Sequence, residues 1–106
     1  MASLFVIRGN DQGRRFELEG PVVTIGRDAS NLIQFHDTEV SRRHAEIRRI
    51  DENYVLFDLN SSNGSFVNGE KVIEYKLESG DQVQFGKTLS LFTRPGNQRE
   101  RGYGSE

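Results

Sequence analysis

The chain predicts an all-β fold, an antiparallel β-sandwich of many short strands. Three observations carry this. Short apolar or alternating segments recur along most of its length, the pattern of half-buried and buried strands. Clusters of Gly, Asn, Asp and Ser separate them, and these residues supply turns. No window shows a sustained 3.6-residue apolar stripe with capping signals, so no long helix is expected.

Leu4 to Ile7 is a short apolar run closed by Gly9-Asn10-Asp11. Arg15 to Glu19 alternates polar and apolar. Val22 to Ile25 is β-branched throughout, and the preceding Pro21 suits a strand start. Asn31 to Phe35 is another short candidate. His44 to Ile50 and Tyr54 to Leu59 are longer, and Asp51-Glu52-Asn53 between them reads as a hairpin loop. Ser65 to Val67 runs into Asn68-Gly69, a two-residue turn signal. Tyr75 to Leu77 precedes the turn Ser79-Gly80-Asp81, and Gln82 to Phe85 and Leu89 to Phe92 complete the set. Residues 1–93 are therefore expected to form one sandwich domain. Arg94 to Glu106, with Pro95, three glycines and scattered charge, read as a flexible tail or linker.

The 106 residues suit one domain with a modest core. No cysteine is present, so disulfides, zinc–thiolate sites and thiol catalysis are excluded; a reducing cytoplasm fits. No apolar run approaches the roughly 20 residues of a membrane span, and the N-terminus lacks a signal-peptide pattern. The net charge of -2 argues against general adhesion to nucleic acid or membrane. Arg42, Arg43, Arg48 and Arg49 nevertheless cluster in the middle of the chain. Arg48 and Arg49, adjacent on a strand, should point to opposite faces and form no single basic stripe.

Four signatures stand out: Gly26-Arg27, Ser41-Arg42-Arg43-His44, Ser61-Ser62-Asn63-Gly64-Ser65 and Asn68-Gly69. They offer permanent positive charge, hydroxyl and amide donors, and glycines for sharp turns. Such groups hold a phosphate without reacting with it. The loops carrying them are expected to converge at one end of the sandwich.

This ordered set resembles the forkhead-associated (FHA) domain, as does the later Leu77-x-x-Gly80-Asp81-x-Val83-x-Phe85-Gly86. The resemblance covers about Leu4 to Phe92. It implies a module that binds a threonine-phosphorylated protein or peptide in signalling, without catalysis, metal or cofactor. Arg27 would then pair with the phosphate, Ser41 would donate its hydroxyl to it, and Arg42 and Ser62 would lie against phosphate or peptide. Asn63 would hold the peptide main chain, and Asn68 would fix loop or peptide. Gly26, His44, Gly64 and Gly69 would shape the site, with Gly64 and Gly69 at positive φ. The resemblance puts a selectivity residue at Glu39, where an acid disfavours an acidic peptide residue third after phosphothreonine. Ser65 replaces the family's commoner threonine.

Two rivals come from other classes. A phosphate-independent interaction module, or an autoinhibitory one, would use the same fold through another face. A hydrolase would recruit Ser41, His44 and Asp58 as a triad, but the chain offers no other nucleophile–base pair. A monomeric module is expected, alone or as part of a larger protein.

Overall fold

The computed structural model describes residues 1–95, and the expected tail beyond Pro95 lies outside them. Eleven strands follow in order: β1 Ser3–Arg8, β2 Arg15–Glu17, β3 Val22–Gly26, β4 Ile33–Gln34, β5 Ala45–Ile50, β6 Asn53–Asp58, β7 Ser65–Val67, β8 Glu70–Val72, β9 Glu74–Lys76, β10 Gln82–Phe85 and β11 Thr88–Thr93. No helix among the described residues is long and apolar enough to cross a membrane.

Two sheets pack face to face. One has six strands in the order β2-β1-β11-β10-β7-β8, the other five in the order β4-β3-β5-β6-β9. Every pairing is antiparallel except β3 with β4, which is parallel, Ile25 opposite Ile33. The five-stranded sheet is therefore mixed, a departure from the purely antiparallel expectation. The reason is local: the chain leaves β3 at Gly26, loops through residues 27–32 and returns along the same edge. Leu32 N–H then donates to Thr24 Oγ1 at 2.9 Å.

Alternation along the strands builds the core. Leu4 and Val6 of β1, Ile25 of β3, Ile47 of β5, Leu56 of β6, Val83 and Phe85 of β10 and Phe92 of β11 are all buried. Each contributes about 1.5–3 kcal/mol by leaving water. Phe35, just after β4, sits edge-on to Phe16 at 5.7 Å between centroids. Arg48 and Arg49 do part to opposite faces: Arg48 covers the Phe57 ring and Arg49 the Tyr54 ring.

Antiparallel pairing decides where the loops go. Ser65 pairs with Phe85 and Phe85 with Thr88. In the other sheet Ala45 pairs with Ile25 and Asp58. These pairs lie at one end of the sandwich, so loops 27–32, 35–44, 59–64 and 86–87 emerge together there.

Candidate functional site

Backbone hydrogen bonds stitch the first two loops. Arg27 N–H donates to Ser41 O at 3.0 Å and Asp28 N–H to Arg42 O at 3.2 Å. Gly26 allows that approach. A Cβ built there would fall on the Arg42 carbonyl oxygen and lie 2.7 Å from Asn31 Nδ2. The Gly-Arg signature is thus one unit: the glycine brings the Ser41 loop within reach of the arginine.

Arg27 is exposed, and its Nε–H donates to Val40 O at 3.0 Å. This fixes the guanidinium while leaving its two terminal NH2 groups available. Ser41 Oγ accepts a hydrogen bond from Ser62 N–H at 3.0 Å, so the Ser41 hydroxyl proton is free to turn outward. Asn63 Nδ2 donates to Glu39 O at 2.8 Å; Asn63 Oδ1 and the second amide proton remain for another partner. Arg42, Arg43 and Ser62 are exposed on the same rim. None of the ion pairs among the described residues involves Arg27, Arg42, Arg43 or Lys71.

His44 lies beneath this surface, fully buried. Its Nδ1 accepts Ser41 N–H at 3.0 Å and its Nε2 sits 2.9 Å from Gly64 O. A carbonyl can only accept, so the ring is neutral with its proton on Nε2. Its ring meets Phe85 edge-on at 5.3 Å. One imidazole thus ties the Ser41 loop to the Gly64 loop. The arrangement is not a triad, because His44 faces the Ser41 backbone rather than its hydroxyl. Asp58 Oδ1 lies 3.9 Å from His44 Nε2 and instead accepts the hydroxyls of Ser61 at 2.6 Å and Ser65 at 2.7 Å. Burial alone would raise the Asp58 carboxyl; the Ser61 and Ser65 hydrogen bonds outweigh it and hold the group below the usual range. Gly64 has φ +88°, which only glycine adopts cheaply.

The structure does not bring Asn68 to this surface. Asn68 and Gly69, at φ +52° and +88°, form the turn between β7 and β8, the conformation a two-residue hairpin wants. Asn68 Nδ2 donates to Asp81 Oδ1 at 2.9 Å, and Asn68 Oδ1 accepts Gln82 N–H at 2.9 Å. Both amide ends are engaged at the far end of β7, about 10 Å along the strand from Ser65. Asn68 thus fixes a turn away from the site, and Gly69, at positive φ as expected, belongs to that turn and not to the site loops. Glu39 does reach the rim, where its carboxylate lies 3.6 Å from Lys87 Nζ rather than on Arg42 or Arg43.

Three further residues hold the site. Buried Asp37 accepts Glu39 N–H at 2.9 Å, Lys87 N–H at 2.8 Å and the Thr88 hydroxyl at 2.8 Å, bonding the Ser41 loop to the 86–87 turn. Asp11 accepts His36 N–H at 2.7 Å and contacts His36 Nδ1 at 2.9 Å, anchoring the start of that loop. Asn31 Nδ2 donates to both Asp28 O at 2.8 Å and Arg42 O at 2.7 Å, bridging the Arg27 and Ser41 loops. Lone polar residues in loops give no periodic signal, and Asn31 reads in sequence as the start of a strand candidate rather than as a bridge between loops. Asn31→Asp keeps the shape but turns a carboxylate on two carbonyl oxygens. Leaving such buried groups unsatisfied costs about 1–3 kcal/mol, so a melting temperature lowered by several degrees and weaker ligand binding are expected. A thermal melt and a titration unchanged from wild type would contradict the bridge.

Clefts of about 310 and 280 Å³ open beside Phe16 and Leu32 and around Tyr54. Neither is lined by Arg27, Ser41 or Asn63. The converged loops form a shallow, cation-rich rim, suited to an extended chain anchored by charge rather than to an enclosed small molecule.

Comparison with known proteins agrees. The FHA domain profile matches residues 23–86. The oxoglutarate dehydrogenase inhibitor of Corynebacterium diphtheriae is 45% identical over 89 residues, which cover 84% of this chain and 62% of that protein. The glycogen accumulation regulator GarA of Mycolicibacterium smegmatis is 42% identical over 91 residues, 86% of this chain and 58% of that one. The chain thus spans less than two thirds of the length of these relatives. An FHA domain solved in work on phosphothreonine-dependent FHA interactions superposes with TM-score 0.83 at 34% identity, covering 90% of this chain and 97% of that chain. The FhaA FHA domain, solved with the intracellular domain of Rv3910, gives 0.80 at 35% identity, covering 87% and 99%. With the Gly26-Arg27 turn, the Ser41-to-His44 loop and the Ser61-to-Ser65 loop gathered at one end of an eleven-stranded sandwich, the chain belongs to the FHA domain family.

Proposed function

We propose that the protein reads phosphothreonine in a partner protein and performs no reaction on it. One observation carries this: among the described residues the terminal NH2 groups of Arg27 and the hydroxyl proton of Ser41 have no partner, while Val40 O holds the Arg27 Nε–H and Ser62 N–H holds the Ser41 oxygen. A phosphate carries about -1.5 to -2 charges at neutral pH. Hydrogen bonds to a charged group are worth about 1.5–3 kcal/mol each, and donors already in place lose little freedom on binding. Arg42 and Ser62 complete the phosphate contacts in this reading, and Asn63 presents its free amide groups to the peptide main chain. His44, engaged at both nitrogens, has no lone pair with which to activate Ser41.

Two relatives are named as an enzyme inhibitor and a regulator of glycogen accumulation. They support a regulatory role exerted through protein binding, and with it a cytoplasmic site of action.

The test is titration of one threonine peptide in phosphothreonine, phosphoserine and unphosphorylated forms. The phosphothreonine form should bind, the unphosphorylated form should not, and phosphoserine should be weaker by about 10–200-fold, the worth of one methyl group in an apolar recess. Equal binding of phosphorylated and unphosphorylated forms would replace this reading with a phosphate-independent interaction module.

A further inference from the structure

Lys71 lies on β8 opposite Phe66 of β7, yet its side chain does not simply extend into water. It runs diagonally over Gly64. A Cβ built on Gly64 would meet Lys71 Cε at 2.7 Å and its Cγ and Cδ at 3.4 Å. The methylene stem occupies the space a side chain at position 64 would take, and it comes closest at its far end. The ammonium group, one bond beyond Cε, is therefore delivered to the Gly64 edge of the 61–64 loop.

Of the lysines at this end of the sandwich, Lys87 is partnered by Glu39. Asp28 is held below its usual range first by the Ser30 hydroxyl and amide, and Arg42 and Arg43 add to this. Lys71 has no carboxylate within ion-pair reach among the described residues. A stem packed along a backbone, with a free ammonium at its tip, is a partly preordered cation.

We propose that Lys71 and the Gly64 edge form a second anion subsite, which takes an acidic group of the bound phosphopeptide other than the phosphothreonine phosphate. The group is a carboxylate of a flanking Asp or Glu, or a second phosphate. This rests on the phosphothreonine reading of the main site. Gly64 then has two duties: its positive φ and carbonyl serve His44, and its missing side chain makes the channel for Lys71. The subsite lies beyond Asn63, whose Nδ2 donates to Glu39 O, and Glu39 itself is offset by Lys87. The preferred ligand is accordingly a threonine phosphopeptide acidic on the Lys71 side.

The experiment walks Asp, Lys or Ala through the positions flanking phosphothreonine in one peptide, with phosphoserine as a fourth substituent. Wild type and Lys71→Met are titrated with each; methionine keeps a stem over Gly64 but has no charge. Wild type should favour Asp over Lys at one flanking position by about two- to fivefold, the scale of an exposed pair, and more strongly at low salt. Lys71→Met should erase that ratio and leave the all-Ala peptide unchanged. A larger gain with phosphoserine than with Asp identifies a phosphate subsite; an equal gain identifies a carboxylate subsite. An Asp-to-Lys ratio that survives Lys71→Met at every position overturns the proposal. So does an equal loss across all peptides, which would put Lys71 on the phosphothreonine itself. Binding of no phosphopeptide by wild type would instead sink the reading of the main site, and the subsite with it.

Discussion

Arg27→Ala should remove useful phosphopeptide binding and leave the domain folded. Truncating one partner of a hydrogen-bonded charge pair costs about 2–5 kcal/mol, a loss of about thirty-fold to several-thousand-fold. The side chain is exposed and donates only one internal bond, to Val40 O, so little of the core depends on it. Arg27→Lys is the informative companion. It keeps a charge but loses both the fork and the Nε–H bond, and it should recover only a small part of the affinity. Calorimetric titration of the folded variants decides. Near-wild-type affinity in Arg27→Ala would show that the phosphate lies elsewhere.

Gly26→Ala should do more damage than most single-methyl changes, and to folding and binding together. The added carbon meets backbone, not a side chain that could swing aside: the Arg42 carbonyl oxygen and, at 2.8 Å, its carbon. Relief requires the Ser41–Arg42 segment to move outward. That weakens Arg27 N–H to Ser41 O, Asp28 N–H to Arg42 O and the Asn31 bridge. Overpacking of this kind costs about 1–3 kcal/mol, or about 4–20 °C in melting temperature for a domain this size. Because the displaced segment carries Ser41, affinity should fall even in the fraction that folds. A variant that melts with wild type and binds as well would mean the two loops are not in contact.

The sandwich was legible wherever strands alternate. Ser65–Val67 and Gln82–Phe85 are bounded to the residue by the turn signals that flank both, and in the second strand Val83 and Phe85 fall on one face. β8 was missed. Glu70-Lys71-Val72 is an edge strand with two exposed charged residues, and an edge strand without an apolar face carries no pattern. Asn31 to Phe35 shrank to Ile33–Gln34, since Asn31 turns inward to bridge loops and Phe35 leaves the strand for the core. The parallel β3–β4 pairing was hidden, because short parallel and antiparallel strands share the same residue pattern.

At the site, order and spacing named the loops, and the fold brought them together. Residue type did not tell which asparagine lies at the site: Asn63 and Asn68 look alike in sequence, yet they stand at opposite ends of β7. Only strand direction separates them. Asp37, Asp11 and Asn31 were invisible for a related reason. Their partners lie across loops distant in sequence, and nothing local marks a buried polar residue as satisfied.

Ser3 pairs with Thr93, the two hydroxyls 3.0 Å apart, so the strands that open and close the domain sit side by side. They do so at the pole away from Arg27, because β11 starts near the site, at Thr88, and runs from it. A chain fused before β1 or after β11 therefore joins the sandwich at one base, opposite the end that carries Arg27. The geometry is that of a plug with its two leads together. A phosphorylated segment attached through either lead must travel the length of the sandwich to reach Arg27. A linker of a few residues is too short for that self-capture, and one long enough to span the sandwich sets its effective concentration by its own length and stiffness.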